Sequence, residues 1–177
     1  TTVLSILLFL ITFVSTWQSY QNEESIRVAQ LERNWSNTID AFGNFLNVLS
    51  SQPRLFQDEK CILKLLENVY KNYSSLITYP SFGRADGKMF SYPSYDYGPE
   101  YDPRQRPWYQ AAVQSPQDYV FVKPFVHAIL KEPAMAVAKA VLDENGNILG
   151  VLACDLVASS VAQSLLVENS YILDESG

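Results

Sequence analysis

The sequence holds a single histidine and two cysteines in 177 residues. That scarcity, with no Cys-x-x-Cys pair, excludes the usual Cys/His structural zinc site. Charge is scarce too. Asp, Glu, Lys and Arg make up 18% of the chain, against ~25% in ordinary soluble domains. None of that charge precedes Glu23. The net charge is −6, so no basic face stands ready to neutralise phosphates, and nucleic acid is excluded as a partner. There is no glycine-rich phosphate loop, no Ser/His/Asp arrangement, no metal-ligand cluster and no carboxylate pair with an acid/base logic. Neither catalysis nor a cofactor is expected of these residues. Disorder is not expected either, since 13% of the residues are aromatic.

What is present begins with an uncharged apolar run, Thr1 to Trp17. It approaches the ~20 residues needed to cross a bilayer. Trp17 and Tyr20 stand where an interfacial aromatic belt would be. Residues 1–22 are therefore read as the later part of a transmembrane helix. Glu23 and Glu24 follow without a Lys/Arg cluster, which fits export of the rest of the chain. A cleaved leader is the alternative reading, but no small-residue cleavage site stands out.

From Leu31 the apolar residues Trp35, Ile39, Phe42, Leu46 and Leu49 recur at helical steps. They predict one long amphipathic helix emerging from the membrane and ending at Gln52-Pro53. Its stripe needs either the chain's own sheet or a second copy of the same helix. A second helix is predicted from Asp58 to Tyr73. Asp86-Gly87 between β-forming runs predicts a hairpin. Strands are predicted over 119–126, 134–142 and 148–155, with the turn between the last two at Asp143-Glu-Asn-Gly146. A closing helix is predicted from Val157 to Leu166. The architecture is α+β, an antiparallel sheet of about five strands with a long helix on one face. Cys61 and Cys154 allow one disulfide, but the preferred reading is two buried free thiols acting as small hydrophobes.

The segment Asp102-Pro-Arg-Gln-Arg-Pro-Trp-Tyr109 carries the chemistry. Each proline restricts the residue before it, so Asp102 and Arg106 are expected to be extended. Arg106 offers a planar fork to a carboxylate, and Trp108 and Tyr109 offer apolar walls with polar edges. A small anionic or zwitterionic ligand suits such a segment. The competing reading has Arg106 capping a turn and Trp108 in the core. Arg104 and Asp102 are expected to pair locally. Tyr92, Tyr95 and Tyr97 read either as a lid or as cover for the core.

Tyr101-Asp-Pro-Arg-Gln-Arg-Pro-Trp-Tyr109, Pro124-Phe125, Asp143-Glu-Asn-Gly146 and Gly150-Val-Leu-Ala-Cys-Asp155 together resemble the membrane-distal module of a double Cache sensor domain. That family belongs to bacterial chemoreceptors, sensor histidine kinases and diguanylate cyclases. The resemblance covers residues 23–168 as the PAS-like sensor module, with 169–177 similar to the start of a membrane-proximal module. It implies an extracytoplasmic sensor in the bacterial inner membrane, facing the periplasm or the exterior and pairing as a homodimer through the N-terminal helix. The expected ligand is a small organic or amino acid. By position the resemblance makes Tyr101, Arg106, Trp108, Tyr109 and Asp155 ligand residues. The family's Tyr-x-Asp after the motif is Phe125-Val-His127 here. On that count a carboxylate is expected with less dependence on an α-ammonium, and Phe125 and His127 join the candidate site. Asp155 also reads as the N-cap of the closing helix. A ligand-free dimerisation or protein-docking module is the alternative.

Overall fold

The computed structural model describes residues 2–157, with side chains described from residue 9 to residue 156. The closing helix after Val157 and the segment 169–177 lie outside the described residues. The chain divides into two compact units, Thr1–Thr38 and Ile39–Gly177.

Helix α1 is assigned over Thr2–Ser50. No proline interrupts it, and Gln52-Pro53 follows, where a 3₁₀ turn over Pro53–Phe56 begins. In the first unit Phe9, Leu10, Ile11, Phe13, Val14, Trp17 and Tyr20 are exposed. Trp17 and Tyr20 lie 6.4 Å apart, ring to ring. Among the described residues no helix is long and apolar enough to cross a membrane.

In the second unit Ile39, Phe42 and Leu46 of α1 are buried at steps of three and four. Helix α2, Glu59–Tyr73, buries Ile62, Leu66 and Val69 on one face. Asp58 caps it by accepting the Cys61 N–H at 3.0 Å, a bond worth about 1 kcal/mol of helix stability. Tyr73 meets Phe42 edge-on at 5.3 Å and so joins the two helices. Cys61 lies outside the α2 stripe and is exposed, whereas Cys154 is buried; both are free thiols. The expectation that both are buried holds only for Cys154, because Cys61 sits about 100° around the helix from Ile62.

The sheet has five strands in the order β2-β1-β5-β4-β3. They are β1 Pro80–Arg84, β2 Met89–Ser91, β3 Val120–Val126, β4 Pro133–Leu142 and β5 Ile148–Val157. All pairings are antiparallel. The β1–β2 turn needs Gly87 because its φ is +94°. Strand β5 runs through Val157, with Asp155 opposite Ala136 of β4. Asp155 is thus an interior strand residue, and the N-cap reading is set aside. The α+β fold with its PAS-like antiparallel sheet is the one the sequence predicts.

Alternation gives the sheet two faces. Ala136, Ala138, Val151 and Ala153 form one core cluster with Trp108, Tyr109 and Ala112. The latter three come from helix α3, Pro107–Gln114. Small residues on the strands let this short helix lie close. Val137, Val141, Leu152, Cys154 and Leu156 alternate with these and are fully or almost fully buried, so they fall on the other face. Asp155, two residues beyond Ala153, shares the α3 face.

Two contacts hold α1 to Tyr119, the residue just before β3. Gly43 lies under the Tyr119 ring, where a Cβ would collide. The Tyr119 hydroxyl donates to Asp40 Oδ1 at 2.7 Å.

Candidate functional site

The proline-bracketed segment adopts the geometry its prolines dictate. Asp102 (φ −116°, ψ 112°) precedes a 3₁₀ turn over Pro103–Gln105, and Arg106 (φ −82°, ψ 146°) precedes α3. Both are extended. Asp102 Oδ1 accepts the Arg104 N–H at 2.9 Å, and the Arg104 guanidinium meets Asp102 Oδ2 at 2.8 Å. This local pair stiffens the loop and holds the Asp102 carboxyl below its usual range through those hydrogen bonds. It leaves Arg106, the second guanidinium, pointed elsewhere.

Arg106, Trp108, Tyr101, Phe125, His127 and Asp155 line one small cavity together with Met89, Tyr97 and Ala128. The cavity encloses about 10 Å³, roughly the room one water needs. Tyr109, expected at the site, is not among the lining residues. It is buried in the core beside Gly83. Neighbouring helical residues point about 100° apart, so Trp108 and Tyr109 do not face one cavity together. Met89 and Ala128 were not legible as site residues. Both are small or flexible apolar walls with no chemical signature.

The polar groups of the cavity are unevenly satisfied. Arg106 donates from Nη2 to the Val126 carbonyl at 2.8 Å, and its guanidinium lies 6.0 Å from the Tyr101 ring centre and 5.9 Å from that of Phe125. Arg106 Nε is buried without a hydrogen-bond partner. Asp155 Oδ2 lies 3.1 Å from His127 Nε2, while Asp155 Oδ1 is buried and unpartnered. Burial pushes the Asp155 carboxyl above its usual range, opposed by the hydrogen bond from His127 and by the Arg106 charge.

The Tyr97 and Tyr101 rings lie 4.5 Å apart, tilted at 34°, and both line the cavity. Burial pushes the Tyr101 phenol up to about 12, against the pull of Arg106. It raises the Tyr97 phenol as well. Both stay neutral hydroxyls. A wider groove of about 740 Å³ is lined by residues such as Asn47, Ser50, Arg54 and Lys139. By strand alternation Lys139 faces away from α3, and the groove contains none of the motif's residues. Its buried Lys139 is engaged, donating to the Pro116 carbonyl at 2.7 Å.

Residues 56–163 match the family model of methyl-accepting chemotaxis protein-like receptors, first PDC sensor domain. The chain is 31% identical over 131 residues to the methyl-accepting chemotaxis protein McpC of Bacillus subtilis, covering 70% of this chain and 19% of McpC. It is 33% identical over 105 residues to the methyl-accepting chemotaxis protein PscA of Pseudomonas syringae, covering 59% of this chain and 16% of that relative. Among solved structures, the ligand-binding domain of the Pseudomonas fluorescens chemoreceptor CtaA with L-alanine aligns with a TM-score of 0.65 at 25% identity, covering 84% of this chain and 63% of that one. The ligand-binding domain of the Pseudomonas aeruginosa amino acid chemoreceptor PctB with L-Gln aligns with a TM-score of 0.59 at 26% identity, covering 80% and 56%.

Proposed function

Since the chain belongs to the first PDC sensor domains of methyl-accepting chemotaxis protein-like receptors, we propose that its Arg106–Asp155 cavity binds a small zwitterionic amino acid. One observation carries the reading. A cation and an anion line the same cavity, and each has one buried, unmet hydrogen-bonding atom, Arg106 Nε and Asp155 Oδ1. A buried polar atom left unpaired costs about 1–3 kcal/mol. A ligand carboxylate would meet the Arg106 N–H, and a ligand ammonium would meet Asp155 Oδ1. Tyr101 and Phe125 would wall the ligand, and the Trp108 edge would close the carboxylate end.

This reading revises the expectation drawn from Phe125 and His127. A histidine in place of a carboxylate leaves an ammonium with one anionic partner fewer. His127 instead donates to Asp155, and the open oxygen of Asp155 remains available. Arg106 and Asp155 sum to no net charge, so a zwitterion leaves the buried site neutral. A hydroxy acid anion would leave one uncompensated negative charge, which is costly away from water. A keto acid offers Asp155 no donor at all. The bound ligands named for CtaA and PctB, L-alanine and L-Gln, agree with this class.

A cavity of about 10 Å³ is far below the ~300 Å³ of a small ligand site. Ligand entry therefore requires the tyrosine loop over 92–101 to open and close again. Around that site the proposal places the chain outside the cytoplasm of a bacterium. Residues 1–22 would be its membrane anchor, 23–168 its sensor module and 169–177 the start of a further module, with a homodimer formed along α1. The exposed apolar residues from Phe9 to Tyr20 support the anchor. Signal would pass as a population shift between open and closed forms of the cavity.

A thermal-shift screen of the purified chain in detergent, against the common amino acids and their hydroxy analogues, tests the reading. At ~100 times its dissociation constant a true ligand stabilises by about 2.7 kcal/mol. No stabilisation by any amino acid would favour the ligand-free module instead.

A further inference from the structure

His127 is the chain's only histidine, and it is buried. It follows the last residue of β3, and its backbone closes the connection to β4. Its N–H donates to the Glu132 carbonyl at 2.9 Å, and its own carbonyl accepts the Lys131 N–H at 3.1 Å. Lys131 takes a left-handed conformation, φ 59°, to complete the turn. The imidazole locks the same turn from inside. Its Nδ1 accepts the backbone N–H groups of Ile129 at 3.2 Å and Leu130 at 3.0 Å.

An imidazole nitrogen that accepts hydrogen bonds carries no proton. The ring is thus the neutral Nε2–H tautomer, and Nε2 donates to Asp155 Oδ2 at 3.1 Å. That bond occupies one carboxylate oxygen and orients the other. Adding a proton to Nδ1 would set a third donor against two amide donors. Both hydrogen bonds from the Ile129 and Leu130 amides would be lost, and the turn over 128–131 would rearrange. Ala128 of that turn lines the cavity.

We propose that His127 is a positioning residue that sets the charge class of the ligand. Neutral, it aims the free Asp155 oxygen at an ammonium. Protonated, it releases the 128–131 turn and adapts the cavity to an anion without an ammonium. The proposal rests on the reading of the cavity as an amino acid site.

Asp155 faces the His127 ring from β5, and Arg106 lines the same cavity from the start of α3. The Tyr79 ring lies 5.3 Å from the imidazole, tilted at 36°. Tyr97 and Tyr101 line the cavity as neutral phenols. Lys131 and Glu132 belong to the turn and meet His127 through their backbones. With neutral His127 the Arg106–Asp155 pair sums to zero, and a zwitterion keeps it there. With the imidazolium the sum is +1, which an anion cancels and a zwitterion does not.

Matched pairs of probes test this: alanine with lactate, and phenylalanine with phenyllactate. Calorimetry of each pair runs from about pH 8 to about pH 5. The probes themselves keep their charges over that range. The amino-over-hydroxy affinity ratio should fall at least tenfold toward acid pH. His127→Gln keeps an N–H for Asp155 but has nothing to titrate, and should flatten the ratio. Asp155 is intact in that variant, so a slope that survives belongs to Asp155 and overturns the proposal.

Nitrogen NMR of the single imidazole should show the Nε2–H tautomer at high pH. Hydrogen exchange at Ile129 and Leu130 should accelerate as the imidazolium forms. An Nδ1–H tautomer, or pairs that bind with a pH-independent ratio, overturns the role of His127 alone. Failure of both pairs to bind at every pH overturns the amino acid reading itself and this proposal with it.

Discussion

Trp108 lies so close to Gly83 that a Cβ on the glycine would come within 2.8 Å of the indole ring. The same Cβ would meet Pro103 at 2.8 Å. Gly83 is the fourth of the five residues of β1 and the place where the proline-bracketed segment settles on the sheet. Removing one side chain from β1 lets the segment approach, and that approach brings Arg106 and Trp108 to the cavity.

Gly83→Ala should therefore lower both stability and affinity. Overpacking of this kind costs roughly 1–3 kcal/mol. Urea unfolding of the purified chain should show that loss, and ligand binding should weaken at least tenfold because Arg106 shifts with Trp108. Unchanged binding in Gly83→Ala would mean the close approach does not position the site.

Arg106→Lys keeps the positive charge and removes the planar fork. A lysine cannot both reach the Val126 carbonyl and present a second fixed N–H to a carboxylate. Calorimetry should show affinity falling by about tenfold or more, equal to about 1.4 kcal/mol. The apo stability should fall by no more than about 1.5 kcal/mol, the value of one neutral hydrogen bond.

Asp155→Asn separates stability from binding. Burial holds the Asp155 carboxyl above its usual range, so the folded chain keeps that proton to higher pH than the unfolded chain does. Stability from this group is present in acid and is lost as pH rises through its folded value. At neutral pH the half-satisfied carboxylate is a burden in the ligand-free protein. Asp155→Asn should raise its melting temperature by about 3 °C at pH 7, for a gain near 1 kcal/mol. The difference should vanish as pH falls to about 4, near the unfolded value of a carboxyl. Amino acid binding should be lost in the same variant.

Tyr119→Phe removes the hydroxyl that donates to Asp40 and keeps the ring over Gly43. Thermal unfolding should register a loss of about 0.5–1.5 kcal/mol. Ligand affinity should stay within about twofold, since Tyr119 does not line the cavity and distant sites act independently. A large change in affinity would show that the helix contact and the cavity are more tightly linked than this geometry implies.

Local chemistry was legible in the sequence, and tertiary chemistry was less so. Pro103 and Pro107 announced the extended Asp102 and Arg106, and the Asp102–Arg104 pair followed from their spacing. Asp86-Gly87 announced the β1–β2 turn. Stripe periodicity announced α2. The facing of Tyr109 was missed because a resemblance aligns residues along the chain and does not rotate them about α3. The end of β5 was misjudged because Asp155 is a good cap residue in isolation, and its pairing with Ala136 is visible only in the sheet. The His127–Asp155 contact joins the ends of two non-adjacent strands, so no local pattern encodes it.

The central claim is that Arg106 and Asp155 together hold a zwitterion. A calorimetric double-mutant cycle on these two residues, with the tightest amino acid from the thermal-shift screen, tests it most directly. Its partner titration uses the same ligand lacking its ammonium. The account predicts that Asp155→Asn weakens the amino acid at least tenfold and barely affects the deaminated acid, while Arg106→Lys weakens both. Equal loss of both ligands in Asp155→Asn, or full affinity for the amino acid in either variant, would contradict it.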